Sequence, residues 1–154
     1  MSPKVFIMIA VIGLILPSFA CHADTPDPTE AKETVQEMGL RFARCSGVYA
    51  AVSEVHTATG SPALAKDTKE KSNGAWAASS WLLYSTGIIT DWNKAKAYAE
   101  NTASSTKTSY MASFEKSDVN KAISELTDTM KECNKMLPLQ EKLVQEVRLK
   151  GYSQ

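Results

Sequence analysis

Residues 28–59 read PTEAKETVQEMGLRFARCSGVYAAVSEVHTAT, and the order of apolar residues within that stretch decides the fold. Val35, Met38, Phe42, Cys45, Tyr49, Val52 and His56 follow one another at alternating gaps of three and four residues. That alternation is the a/d spacing of a helix packed lengthwise against other helices. Asp27, Pro28 and Glu30 mark its start, with an acid at the N-cap, proline at the first helical position and a carboxylate in the first turn. A second stripe is small: Gly39, Ala43, Gly47 and Ala51, each four residues from the last. A glycine inside a helix costs about 1 kcal/mol relative to alanine. The stripe therefore predicts a neighbouring helix approaching closely along that face. Glu37, Arg41 and Arg44 argue against the same spacing serving helix association within a membrane.

Toward the C-terminus, Gly60-Ser61-Pro62 is a helix-stop, helix-start signal. It predicts a second helix from Pro62 to near Ile88. Thr90-Asp91 opens a third, with Trp92, Ala95, Ala99, Tyr110, Met111 and Phe114. Its segment from Thr102 to Ser109 is rich in Ser and Thr, which compete for backbone hydrogen bonds, so a local break is expected there. Ser117-Asp118 caps a fourth helix with the stripe Val119, Ile123, Leu126, Met130, Cys133 and Leu137. Pro138 ends or kinks it, and Leu139 to Lys150 makes a short amphipathic helix through Leu139, Leu143 and Val147. No stretch shows the two-residue alternation of a strand. The expected fold is all-α: an up-down antiparallel bundle of about four helices, plus a short C-terminal helix, with one disulfide.

Toward the N-terminus, Lys4, the apolar run Val5–Leu16, Pro17 and then small residues read as a secretory signal peptide over residues 1–23. Cleavage falls after Ala20 or Ala23, leaving 24–154 as a single helical domain. The expected location is periplasmic or secreted. The apolar run is shorter than the roughly 20 residues of a membrane span. Cys21 raises the alternative of a lipid anchor, but Ser18 and Phe19 depart from the usual lipoprotein pattern.

Cleavage after Ala23 leaves two cysteines, Cys45 and Cys133, and an oxidising compartment favours their pairing. Helix geometry agrees. In an up-down bundle at 1.5 Å per residue, Cys45 lies about 26 Å up the first helix and Cys133 near 23 Å on the fourth. The two thiols then sit at similar heights on adjacent antiparallel helices.

Composition limits function. Lys and Arg number 17, balanced by 17 Asp and Glu, so no basic field is present to hold nucleic acid. Two His and three Cys leave little material for a metal site. There is no Cys-x-x-Cys-His, no repeated Glu-x-x-His, no Gly-x-Ser-x-Gly and no phosphate loop. His56, in the last turn of the first helix, suits the helix dipole; a non-covalent haem would have to pair it with Met38, Met111 or Met130. The expectation is a protein without catalytic residues, metal or cofactor.

The stretch from Ser72 to Thr90 carries no charge and includes Trp76, Trp81, Leu82, Leu83, Tyr84, Ile88 and Ile89. It reads as a central buried helix, as a membrane-inserted segment diluted by serines, or as a surface for a partner. Trp76, Trp81, Tyr84 and Trp92 are the candidate interaction surface, toward an unknown protein partner or a second copy. The functional expectation is a non-catalytic binding module of the bacterial envelope. The alternatives are an envelope component anchored at Cys21 or through 72–90, and a haem- or metal-binding bundle.

Overall fold

The computed structural model describes residues 28–116 and 118–152, and it builds five helices. They are α1 (Pro28–Ala58), α2 (Pro62–Ser85), α3 (Trp92–Lys116), α4 (Val119–Asn134) and α5 (Leu137–Leu149). There is no strand among the described residues. The signal-peptide reading, Cys21 and the Asp27 cap lie outside them.

The α1–α2 turn forms where Gly60-Ser61-Pro62 predicts it. Gly60 takes φ +72°, its N–H donates to the Thr57 carbonyl, and the Ser61 N–H donates to the His56 carbonyl at 2.8 Å. These two bonds satisfy the last carbonyls of α1 in a Schellman motif. Asp118 caps α4 as expected, its carboxylate accepting from the Asn120 N–H at 2.9 Å. Asp91 does the same for α3, accepting from the Lys94 N–H at 2.8 Å.

Three expectations are corrected. α2 ends at Ser85 and not near Ile88, closed by bonds from the Gly87 N–H to Tyr84 and the Ile89 N–H to Leu83. α3 runs unbroken through 102–109. Its threonines do not compete with the helix: Thr102 and Thr106 donate their hydroxyls back to the carbonyls of Tyr98 and Thr102. Finally, α5 begins at Leu137, with Pro138 inside its first turn, where the missing N–H has no helical partner to lose.

Cross-helix bonds fix the topology. Ser79 donates to the Gly39 carbonyl, Ser72 to the Ser46 carbonyl and Ser53 to the Ala65 carbonyl, so α2 runs antiparallel to α1. Glu54 pairs with Lys107, and Gly47 lies against Ala103 and Thr106, so α3 runs parallel to α1. α4 descends antiparallel to both, tied by Cys45–Cys133 to α1 and by Tyr110–Thr129 to α3. α5 then runs parallel to α2, through Gln140 to the Lys71 carbonyl, Glu146 to Trp81 and Tyr152 to Tyr84. α4 and α5 are thus two halves of the descending fourth rod, interrupted at Lys135–Met136. The upper half packs on α1 and α3, and the lower half on α2.

The core centres on the α1 stripe. Phe42, Val48 and Tyr49 are buried in one cluster with Ala75, Ala78 and Trp81 of α2 and with Leu126 and Cys133 of α4. The Cys45 and Cys133 Cα atoms are 5.5 Å apart, as the height argument requires. Closing an 88-residue loop removes chain entropy from the unfolded state, a stabilisation of about 4.6 kcal/mol at most. On α4 the predicted stripe turns inward only from Leu126 onward, with Leu126 and Cys133 buried and Met130 and Leu137 half-buried. Val119 and Ile123 are 52% and 48% exposed, and Ala122 takes the inward place.

The small-residue stripe faces two neighbours in place of the single one expected. Gly39 meets Leu83 of α2, and Gly47 meets Ala103 of α3. The cause is helical pitch: a four-residue step overshoots a turn by about 40°, so eight residues carry the stripe about 80° around α1.

Candidate functional site

The four aromatic residues singled out by sequence do not form one surface. Trp81 is buried, and Tyr84 and Trp92 are half-buried. All three gather around a residue that sequence reasoning missed, Tyr152. Its ring centroid lies 5.5 Å from that of Trp81, 5.3 Å from Tyr84 and 5.0 Å from Trp92. The Trp81 Nε1 donates to the Glu146 carboxylate at 3.1 Å, and the hydroxyls of Tyr84 and Tyr152 share a hydrogen bond. That bond raises the Tyr84 pKa above the ordinary tyrosine value. Tyr152 gets there through Gly151, which takes φ +77° at the end of α5. The Tyr152 N–H bonds the Val147 carbonyl and turns the chain back over the bundle. The signal was in the sequence: a glycine just past the last apolar position, followed by an aromatic residue. These aromatic groups close one end of the bundle, joining α2, α3 and α5.

Trp76 stands apart. It precedes Trp81 by five residues, which places it about 140° around α2. It lines a cleft of about 510 Å³ formed between α1, α2 and α3. Small side chains make the space: Ser46 and Ala50 on α1 oppose Ala97, Ala103 and Ser104 on α3. Ser46 and Ser72, both buried, link α1 to α2 at its base. The Nε1 of Trp76 is buried, and among the described residues it is the buried side-chain polar atom that has no hydrogen-bond partner. Leaving such a donor unsatisfied costs about 1–3 kcal/mol.

The cleft walls carry Lys69, Lys96, Lys107 and one acid, Glu100. Lys107 is held by Glu54 at 2.5 Å, and the Lys96 ammonium sits 5.8 Å from the Trp92 ring centroid. No histidine or cysteine lines it; serine, lysine and Glu100 side chains do. A larger space of about 640 Å³ separates α2 from α5. Gln140 reaches across its floor, beside Gly74, to the Lys71 carbonyl, and its donor is thereby satisfied.

Of the methionines that a haem would need opposite His56, Met38 is out of reach. Met38 and His56 are about 27 Å apart along α1, and Met38, Met111 and Met130 pack against the core. Among the described residues, no group of three or more His, Cys, Asp or Glu converges to hold a metal ion. No helix among them is long and apolar enough to cross a membrane, and the uncharged run from Ser72 to Ser85 supplies the inner face of α2.

Known proteins give no guide: no family model, no curated protein and no solved structure matches the chain.

Proposed function

We propose that this protein is an exported, disulfide-stapled binding module that takes a small molecule into the Trp76 cleft and performs no chemistry on it. The observation that carries the reading is a polar cleft lined by Trp76, whose buried Nε1 has no hydrogen-bond partner. Buried donors in folded proteins nearly always find an acceptor. Here a ligand supplies it. Export is supported by the leader-like residues 1–23 and by a disulfide of the kind that persists in oxidising compartments. That compartment is the periplasm or the exterior.

The expectation that aromatic residues meet a protein partner or a second copy has less support, because Trp81, Tyr84 and Trp92 are engaged with Tyr152 inside the fold.

The three tryptophans make the test direct. Each gives one indole N–H signal in a ¹⁵N correlation spectrum, and Trp76→Phe identifies that of Trp76. A panel of small charged and neutral compounds is titrated into the oxidised protein. Saturable movement of the Trp76 signal, with those of Trp81 and Trp92 still, is the expected result. A panel that moves no indole signal at millimolar concentration overturns the reading.

A further inference from the structure

We infer that the ligand of the Trp76 cleft is a small organic anion, with an acidic head and a carbonyl-type acceptor about 10 Å away. The inference rests on the binding reading above and adds the chemistry of what is bound.

The register of the helices places the groups. Ser46 bonds Ser72, and α2 descends from there, so Lys69 lies one turn above that level and Trp76 one turn below. Gly47 lies between Ala103 and Thr106 on the parallel helix α3. Lys107 therefore reaches the level of Lys69, Ser104 the level of Ser72, and Glu100 the level of Trp76. Lys96 lies one further turn down. The cleft is thus lined by Lys69 and Lys107 toward its upper end, by Ser46, Ser72 and Ser104 in the middle, and by Trp76, Glu100 and Lys96 toward its lower end, with the Lys107 ammonium held by Glu54.

A paired-lysine end fits a carboxylate or a phosphate, which each accept charge-assisted hydrogen bonds from ammonium groups. At the level of Trp76 the facing charged residue is Glu100, with Lys96 a turn further down, so a neutral group is favoured there over a second acidic one. A neutral carbonyl satisfies the Trp76 N–H without adding negative charge there. Seven residues separate Lys69 from Trp76 on α2, which sets the head-to-acceptor spacing at about 10 Å. Because Nε1 has no solvent access in the free protein, the ligand's acceptor reaches it through a small rotation of the indole, and the Trp76 signals report that rotation.

Glu54 competes for the same site. It already pairs with Lys107, so an anion entering the cleft shares that ammonium or displaces the carboxylate.

The test uses the oxidised protein and two matched probes: 6-acetamidohexanoate, which has an acidic head and an amide carbonyl at about the right distance, and its neutral counterpart 6-acetamidohexanamide. 4-Acetamidobutyl phosphate, added in a separate arm, keeps the amide carbonyl and distinguishes a phosphate head from a carboxylate head. The expected result is saturable movement of the Trp76 indole signal with an anionic probe, and at least about tenfold weaker effect from the neutral one. Lys69→Gln and Lys69→Gln/Lys107→Gln weaken anion binding, and Glu54→Gln strengthens it by releasing Lys107. All these positions are on the protein exterior, so the fold survives the substitutions. Equal binding of the neutral probe, or binding unchanged in the double lysine variant, overturns the anion assignment while leaving a binding cleft in place. No movement with any of the three probes also overturns it; the broader panel above then decides separately whether the cleft binds anything.

Discussion

The backbone of Gly47 on α1 lies directly against the Ala103 carbonyl of α3. A Cβ on Gly47 would run into the Ala103 carbonyl oxygen and come within 2.7 Å of the Thr106 Cβ. Gly47→Ala therefore pushes two helices apart. Overpacking of this kind costs about 1–3 kcal/mol, which outweighs the gain of about 1 kcal/mol in helix propensity. At Gly39 the same substitution meets the side chain of Leu83 at 3.0 Å, which has to give by only a few tenths of an ångström. Urea unfolding should show Gly47→Ala clearly destabilised and Gly39→Ala near neutral.

The disulfide holds α4 to the bundle at one point. Elsewhere α4 relies on the Tyr49–Asn134 and Tyr110–Thr129 hydrogen bonds and on a short apolar seam. Replacing Cys45 and Cys133 by alanine should cost about 2–5 kcal/mol. The loss should be uneven. Hydrogen exchange should quicken most in α4, where Val119 and Ile123 are already exposed, and least in the α1–α2 pair. Equal acceleration throughout would count against α4 being the weakly held element.

Tyr49 makes a pH prediction. Burial, with a smaller contribution from the Asp67 carboxylate, pushes its pKa from 10.0 up to about 12. The folded state thus favours the neutral phenol. Its contribution to stability is full below pH 10, where both states are protonated, and is lost as pH rises through about 12. Absorbance titration near 295 nm should show a late-ionising tyrosine that disappears in Tyr49→Phe. That variant also gives up the bond to Asn134, worth about 1 kcal/mol.

Tyr152 is a stability residue close to the chain's end. Tyr152→Ala removes a half-buried ring that touches Trp81, Tyr84 and Trp92. The cost should be about 1–3 kcal/mol, with tryptophan emission shifted to the red as Trp81 and Trp92 gain water. The Tyr84 hydroxyl loses its partner, so its pKa should fall back toward the ordinary value.

The helices were legible because each carries its own punctuation. The 3-4 alternation from Val35 to His56 and the Gly60-Ser61-Pro62 signal both act within a few residues of where they are written. The disulfide was legible for a further reason: rise per residue is constant, so heights can be added along a chain of short turns. The Ser/Thr segment of α3 misled, because propensity there is overridden by α1 packing against Ala103 and Thr106. The cleft and the Tyr152 cluster were hidden for a different reason. Both depend on which side chains from three helices share a level, and that is set by rotation about each helix axis, which no single segment encodes. Trp76 and Trp81 looked alike as neighbours in an uncharged run, yet the 140° of α2 between them sends one to an open cleft and the other to a sealed end.

Synthesis proceeds from the amino end, so Cys45 emerges 88 residues ahead of Cys133. During that interval the Cys45 thiol waits for its partner. The helices α1, α2 and α3 are all complete before Cys133 appears. The late thiol therefore docks against a surface already built, and bond formation records that the last quarter of the chain has found its place.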